Sequence, residues 1–217
     1  EAGKVAKALG DFTVSVYYRV NVDASLSGAG HFLWCFSQSA ANTQTASPYM
    51  AYRLNAQRMA TSTGGWCGES GLEVGSVPAK GRPIHMLYRQ TGTEGELFID
   101  GKRVKISTAM PVPSETFTAA PAYCWIGRPP FSGDSYLKQT LVTDFRLYDA
   151  ALSDEAIAQL AAVTADLEYE FLYGGGGDNT ALQKAIDEAT QLMGTTDGYP
   201  QGAVLMLQDA ITIARNV

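Results

Sequence analysis

The feature that most constrains the fold is a succession of short segments in which apolar and polar side chains alternate. In the first segment, Phe12, Val14 and Val16 share one face of an extended chain. About nine such segments follow one another with turn signals between them, and Asp100-Gly101 is a strong signal for a two-residue hairpin. The segments are DFTVSVYYRV, HFLWCFS, YMAYRLN, QRMATST, HMLYRQ, ELFID, KRVKIS, AYCWIGR and TLVTDFRLYD. The pattern predicts a mainly β antiparallel sandwich, with loops at 62–82 and 107–121.

The last alternating segment changes abruptly into a helical pattern. Ser153 is suited to cap a helix, because its hydroxyl can accept a backbone N–H, and Asp154 and Glu155 suit the positive end of a helix dipole. Ile157 and Leu160 then fall on one helical face. We therefore expect a short closing helix that docks back on the sandwich.

Composition excludes several classes of partner. The 16 Lys and Arg residues against 22 Asp and Glu residues give a net charge of −6, which disfavours nucleic acid and anionic membranes. No apolar run approaches the roughly 20 residues that span a bilayer, so no membrane insertion is expected. Cys35, Cys67 and Cys124 form no CxxC pair, which disfavours a zinc site and leaves the existence of one disulfide open.

The composition shifts after Tyr173. The stretch GGGGD indicates a flexible linker, and two helical stripes of apolar residues follow, separated by GTTDGYPQG. The sequence thus predicts a sandwich over residues 1–165, a linker over 166–178 and an α-helical hairpin over 179–217. The hairpin should need a further packing partner, because isolated helices of this length are marginal in water.

Residues 11–162 resemble the laminin-G-like, concanavalin A-like lectin/glucanase jelly-roll domains of bacterial secreted carbohydrate-active proteins. The resemblance rests on DFTVSVYYRV, on GRPIHMLYRQTGTEGELFIDGKRV, and on WIGRPPFSGDSYLKQTLVTDFRLYDAALSDEAI. In this family the last motif marks the final strands and the closing helix. One departure is Pro83-Ile84, where the family usually has Trp-His. The segment after residue 179 resembles a short helical-bundle (FIVAR-like) repeat.

The resemblance implies a non-catalytic module that binds polysaccharide or another ligand. The module would belong to a larger glycan-degrading protein, located outside the cell, on its surface or in the periplasm. One alternative is a structural spacer or lid that packs on a catalytic neighbour and binds no glycan. The other is a glycoside hydrolase, which the sequence disfavours because enzymes of this fold carry a Glu-x-Asp-x-x-Glu strand that this chain lacks. His85 matches a structural family position and is expected to be a hydrogen-bonded sandwich residue, whereas Trp34 and Trp125 are expected in the core.

Aromatic residues in loops are the best candidates for sugar contact. Trp66 lies in the polar, glycine-rich stretch STGGWCGES, where it could stack on a sugar ring or plug an end of the sandwich. Phe131 and Tyr136 lie in PPFSGDSY, and Arg128 and Asp134 match polar positions of the family motif. These five residues are the predicted ligand-binding set.

No cofactor is certain from the sequence, although calcium is possible. Many jelly rolls hold a structural calcium near the first and last strands, where hard oxygen ligands are needed. The resemblance places the carboxylates of Asp11 and Asp144 at suitable positions. The alternative for Asp144 is a pairing with a nearby arginine or a backbone N–H.

Overall fold

The structure, a computed structural model, describes residues 1–164 and 187–191. The contacts divide the chain into two units, Glu1–Thr164 and Ala165–Val217. Residues 187–191 are helical. The predicted linker and the rest of the predicted hairpin lie outside the described residues.

The first unit is a jelly-roll sandwich of two five-stranded antiparallel sheets. The first sheet has the order β10-β1-β6-β7-β8, and the second has the order β5-β4-β3-β2-β9. The strands are β1 (Phe12–Val20), β2 (Phe32–Ser37), β3 (Tyr49–Arg53), β4 (Arg58–Ser62), β5 (Glu69–Glu73), β6 (Pro83–Thr91), β7 (Glu94–Ile99), β8 (Lys102–Ser107), β9 (Tyr123–Ile126) and β10 (Thr140–Tyr148). The helices are α1 (Ala2–Ala8), α2 (Pro113–Thr116) and α3 (Asp154–Ala162). The mainly β prediction is therefore confirmed.

The core lies between the two sheets and follows the predicted alternation. Val14 and Tyr18 on β1 face Trp34 on β2 and Met50 on β3 within one buried cluster. The turn between β7 and β8 is also as predicted. Asp100 and Gly101 have φ angles of 50° and 74°, so both central residues take the left-handed conformation that a two-residue hairpin favours.

Three elements were not predicted. Strand β5 lies in a stretch expected to be a loop, and α1 and α2 carried no strong sequence signal. β5 contains Gly71 and two glutamates, which have low strand propensity, and only Leu72 is buried. Backbone pairing with β4 holds this edge strand in place, and that pairing depends on tertiary contacts rather than local sequence.

The closing helix α3 covers the outer face of the first sheet. Ser153 caps it as predicted, since its Oγ accepts a hydrogen bond from the Ala156 N–H at 3.3 Å. Ile157 is 1 % exposed and packs with Leu87 and Phe98 of the sheet. In the described part of the chain, no helix is long and apolar enough to cross a membrane.

Candidate functional site

The outer face of the second sheet is covered by loops, and these loops build the candidate site. Trp34 and Met50 point into the core, so the intervening Cys35 and Ala51 point outward. Cys35 and Ala51 are cross-strand neighbours with small side chains, and they leave room above the sheet. Phe131, which belongs to no strand, packs into this outer cluster.

Backbone contacts hold the loop that carries Phe131 close to the sheet. The Asn42 N–H donates to Pro130 O at 2.7 Å, and the His31 N–H donates to Ser135 O at 2.9 Å. Gly30 permits this approach, because its φ is 107° and a Cβ there would lie 2.3 Å from Ser135 O. The loop is therefore fixed relative to the sheet.

Trp66 begins a 3₁₀ turn, Trp66–Gly68, that is held in a similar way. The Gly65 N–H donates to Ser47 O at 3.0 Å, and the Cys67 N–H donates to Gln44 O at 3.0 Å. The indole is 50 % exposed. Its ring lies 5.4 Å from the ring of Phe131, at an interplanar angle of 70°. Trp66 is therefore neither a core residue nor a fully buried plug.

A pocket of about 350 Å³ opens beside Trp66. It is lined by Ala29, Arg53, Trp66, Glu69, Phe131 and Asp134. An aromatic wall with a few converging polar groups is the usual composition of a small-ligand site. A second pocket of about 490 Å³ lies near the end of β1, but none of the described residues that line it is aromatic.

Glu69 is fully engaged inside the protein. Its Oε1 accepts a hydrogen bond from the Tyr49 hydroxyl, and its Oε2 accepts from Nε and Nη2 of Arg58 at 3.1 and 2.9 Å. Arg58 also pairs with Glu73 at 3.2 Å. Burial, followed by the charge of Glu69, raises the pKa of Tyr49. Glu69 therefore shapes the pocket wall and has little capacity left for a ligand.

Asp134 and Arg53 are the charged side chains of the pocket that remain available to bind a ligand. Burial raises the pKa of Asp134, while the charges of Arg53 and His31 oppose that shift. Among the described residues, Arg53 forms no ion pair, and its Nε is buried without a hydrogen-bond partner. An acceptor and a set of donors thus line one cavity beside an aromatic ring.

The predicted ligand-binding residues are divided between two places. Trp66, Phe131 and Asp134 meet at the pocket. Arg128 and Tyr136 do not line it: the Arg128 guanidinium carbon lies 4.2 Å from the ring centroid of Trp125 and 5.8 Å from that of Tyr136. The prediction that Trp125 belongs to the core is wrong, because the side chain is only partly buried and packs against Arg128 at the sheet edge.

The pocket also contains residues that the sequence analysis missed, Arg53 and Glu69. One signal could have indicated Arg53. The four-residue turn between β3 and β4 places Arg53 directly opposite Arg58. Two arginines facing each other across a hairpin need acidic partners or a ligand.

The two calcium candidates have protein partners in this structure. Asp144 forms an ion pair with Arg146 at 2.7 Å, which is the alternative weighed for it, and Asp11 accepts a hydrogen bond from the Gly92 N–H at 2.7 Å. Within residues 1–164 and 187–191, no group of three His, Cys, Asp or Glu side chains is placed to hold a metal ion. All three cysteine thiols are free.

His85 lies inside the protein and not at the pocket. It is 0 % exposed, its Nε2 is 2.8 Å from Ser15 Oγ, and its ring stacks on Tyr17 at 4.5 Å. Burial lowers its pKa from 6.5 to about 4, against the opposing charges of Asp100 and Asp144. The histidine is therefore neutral and inaccessible at pH 7, as a sandwich residue should be.

Comparison with known proteins agrees with this architecture. The family model of the concanavalin A-like lectin/glucanases superfamily matches residues 2–158. No curated protein matches the sequence. Solved structures with the same fold include a leech intramolecular trans-sialidase in complex with 2,7-anhydro-Neu5Ac, at 21 % identity and a TM-score of 0.56. The match covers 74 % of this chain and 24 % of the leech enzyme, so the chain spans about a quarter of that protein.

Two further structures with this fold are separate domains of larger enzymes. The CBM40 domain of the Ruminococcus gnavus IT-sialidase, bound to α2,3-sialyllactose, has 16 % identity and a TM-score of 0.53, with 74 % of this chain and 86 % of that chain covered. Domain 4 of an extracellular GH43 arabinanase from Geobacillus stearothermophilus, in complex with arabinotriose, has 14 % identity and a TM-score of 0.52. That match covers 71 % of this chain and 69 % of the arabinanase domain. At these identities the likeness establishes the fold alone.

Proposed function

The chain belongs to the concanavalin A-like lectin/glucanase superfamily, and from that premise we propose that its sandwich is a glycan-binding module. The observation that carries the proposal is the half-exposed indole of Trp66 at a pocket that also contains Arg53 and Asp134. An exposed aromatic ring offers an apolar surface to the C–H face of a sugar, and charged side chains bind the hydroxyls.

The rigidity of the site supports binding. Backbone hydrogen bonds fix both the turn of Trp66 and the loop of Phe131. Phe131 is itself wedged against Phe32 and Tyr49, with ring centroids 6.2 and 5.4 Å away. A site whose side chains are already held in place loses less conformational entropy when a ligand binds.

The chemistry of the pocket favours binding over cleavage. Retaining and inverting glycosidases need two carboxyl groups that are free to act on the sugar. Among the described residues, Glu69 and Asp134 are the two carboxylates that line this pocket, and the oxygens of Glu69 accept from Tyr49 and Arg58. Asp134 alone cannot supply both the acid and the nucleophile or base.

The setting of the module is part of the proposal. Two of the structural neighbours are themselves domains of larger sialidase and arabinanase proteins. By analogy, we propose that this module is part of a larger glycan-degrading protein that acts outside the cell or at its surface. The alternative, a spacer or lid that binds no glycan, stays a prediction.

Titration of the full chain with a panel of soluble oligosaccharides and a glycan array tests the proposal. We expect weak binding of at least one glycan and a loss of about tenfold or more in Trp66→Ala. Ile106→Ala is a matched control, because Ile106 is an exposed apolar residue on the other sheet. Absence of binding across plant and host glycans would contradict the proposal and favour the spacer.

A further inference from the structure

The charges around the pocket indicate which kind of sugar it accepts. Arg53, Glu69 and Asp134 line the pocket, and Arg58 and Glu73 form the ion pairs directly behind Glu69. These five side chains carry two positive and three negative charges at neutral pH. The site is therefore not a basic pocket, although an arginine lines it.

Three of these five charged side chains, Arg58, Glu69 and Glu73, form ion pairs with one another. Arg58 lies between Glu69 and Glu73, and Glu69 also accepts the Tyr49 hydroxyl. The pairing leaves Arg53 and Asp134 as the two charged groups of the pocket that no described side chain engages by a hydrogen bond or an ion pair. Their charges also interact. Burial raises the pKa of Asp134, and the positive charge of Arg53 lowers it.

This arrangement matches a hydroxyl pair better than a carboxylate. An arginine can only donate hydrogen bonds and an ionised aspartate can only accept them, whereas a sugar hydroxyl does both. Two adjacent hydroxyls can therefore accept from Arg53 and donate to Asp134 at the same time. A sugar carboxylate could use Arg53 but would meet the negative charge of Asp134 in a partly desolvated pocket, where repulsion is stronger than in water.

We infer that the pocket selects a neutral sugar that presents two adjacent hydroxyl groups, with Arg53 as donor and Asp134 as acceptor, and discriminates against acidic sugars. This inference rests on the proposed function and specifies its ligand class. The pocket volume of about 350 Å³ is near the lower end of the roughly 300–1,000 Å³ found for small-ligand sites. It suits one or two sugar rings against Trp66.

The test compares neutral probes with acidic probes of similar structure. The full chain is titrated with two pairs of probes, each with the neutral member first: lactose and 3′-sialyllactose, and galactotriose and tri-galacturonate. Any further neutral glycan that binds in the panel above is titrated in the same way. We expect the neutral member of a pair to bind and the acidic member to bind at least tenfold more weakly. Asp134→Asn and Arg53→Gln should each weaken neutral binding by about tenfold to a hundredfold, the usual effect of removing a hydrogen bond to a charged group.

A matched arginine on the other sheet provides the control. Arg103→Gln alters an arginine on β8, away from the pocket, and should leave binding unchanged. Far-UV circular dichroism and the thermal midpoint check that each variant is folded. Asp134→Asn has a second expected effect: it should narrow the gap between neutral and acidic probes, because the repelling charge is gone.

The possible failures can be told apart. If acidic probes bind as tightly as neutral ones or more tightly, and Trp66→Ala abolishes that binding, the selectivity inference is overturned while the glycan-binding function stands. The selectivity inference is also overturned if neither Asp134→Asn nor Arg53→Gln changes the affinity for neutral probes. If no probe binds, including every glycan of the panel above, the proposed function fails, and the inference about its ligand fails with it.

Discussion

Arg53 and Arg58 lie directly opposite each other in the β3–β4 hairpin, yet only Arg58 has carboxylate partners. Like charges in this position normally repel. Here the neighbouring strand β5 supplies Glu69 and Glu73 on the side of Arg58, and Arg53 is left to line the pocket. The same pair of arginines thus contributes one structural residue and one candidate binding residue.

Removing the structural member of this pair should weaken the edge of the second sheet. Arg58→Gln leaves Glu69 with one hydrogen-bond partner fewer in a mostly buried position. We expect the free energy of unfolding, from urea denaturation, to fall by about 1–2 kcal/mol. Glu73→Gln, whose side chain is more exposed, should cost less than about 1 kcal/mol. Equal losses in both variants would contradict the assignment of Glu69 as the main partner.

The turn that presents Trp66 should be sensitive to a single methyl group at Gly65. A Cβ at this position would lie 2.2 Å from Thr43 O, and the φ of 59° disfavours any other residue. Gly65→Ala should lower the free energy of unfolding by about 1–3 kcal/mol and weaken ligand binding, because Trp66 must move. Gly64→Ala is the control, since the nearest atom to a Cβ there is 3.5 Å away and φ is not positive. If both variants bind as the parent does, the turn does not position the indole.

Arg89 should anchor the closing helix to the first sheet. Its guanidinium donates to Leu152 O at 2.7 Å and pairs with Asp154 at 2.8 Å and with the buried Glu96 at 2.6 Å. Arg89→Met leaves Glu96 with only the exposed Arg103 as its ionic partner. We expect a loss of about 3 kcal/mol in the free energy of unfolding.

The control for Arg89 is Arg103, the other arginine that pairs with Glu96. Arg103→Met removes a half-exposed partner of Glu96 and should cost less than about 1 kcal/mol. Hydrogen exchange of residues 154–162 adds a local measurement. If Arg89→Met leaves exchange in the closing helix unchanged, Arg89 stabilises the sheet and not the helix.

His85 should make stability depend on pH. Its pKa is lowered by burial from 6.5 to about 4, so between these values the unfolded chain binds a proton that the folded chain does not. This contribution to stability is therefore fully present above pH 6.5 and is lost as the pH falls towards 4. The stability of wild type relative to His85→Gln should decrease by about 3 kcal/mol across that window. A constant difference from pH 7.5 to 4 would show that His85 has the same pKa in the folded and the unfolded chain, so that burial does not lower it.

Local patterns were enough to predict most of the sandwich. Period-two alternation marks nine of the ten strands, because a strand buried on one face must place apolar residues on that face. Asp100-Gly101 identified its hairpin, and Ser153 identified the start of the closing helix, because backbone conformation and capping depend on neighbours in sequence. β5 was not predicted, because its extended conformation depends on pairing with β4 and not on the strand propensity of its own residues.

The site was only partly predictable for the same reason. Loop composition identified Trp66, Phe131 and Asp134, but Arg128 and Tyr136 share a motif with two of these residues and lie elsewhere. By itself the sequence determined nine of the ten strands, the hairpin, the closing helix and the aromatic residues available for binding. Only the tertiary structure decided that Arg53 joins the pocket and that Glu69 is occupied by Arg58 and Tyr49. Both features depend on which loops and strands lie next to one another in the folded protein. Such long-range contacts produce no periodic pattern in the sequence.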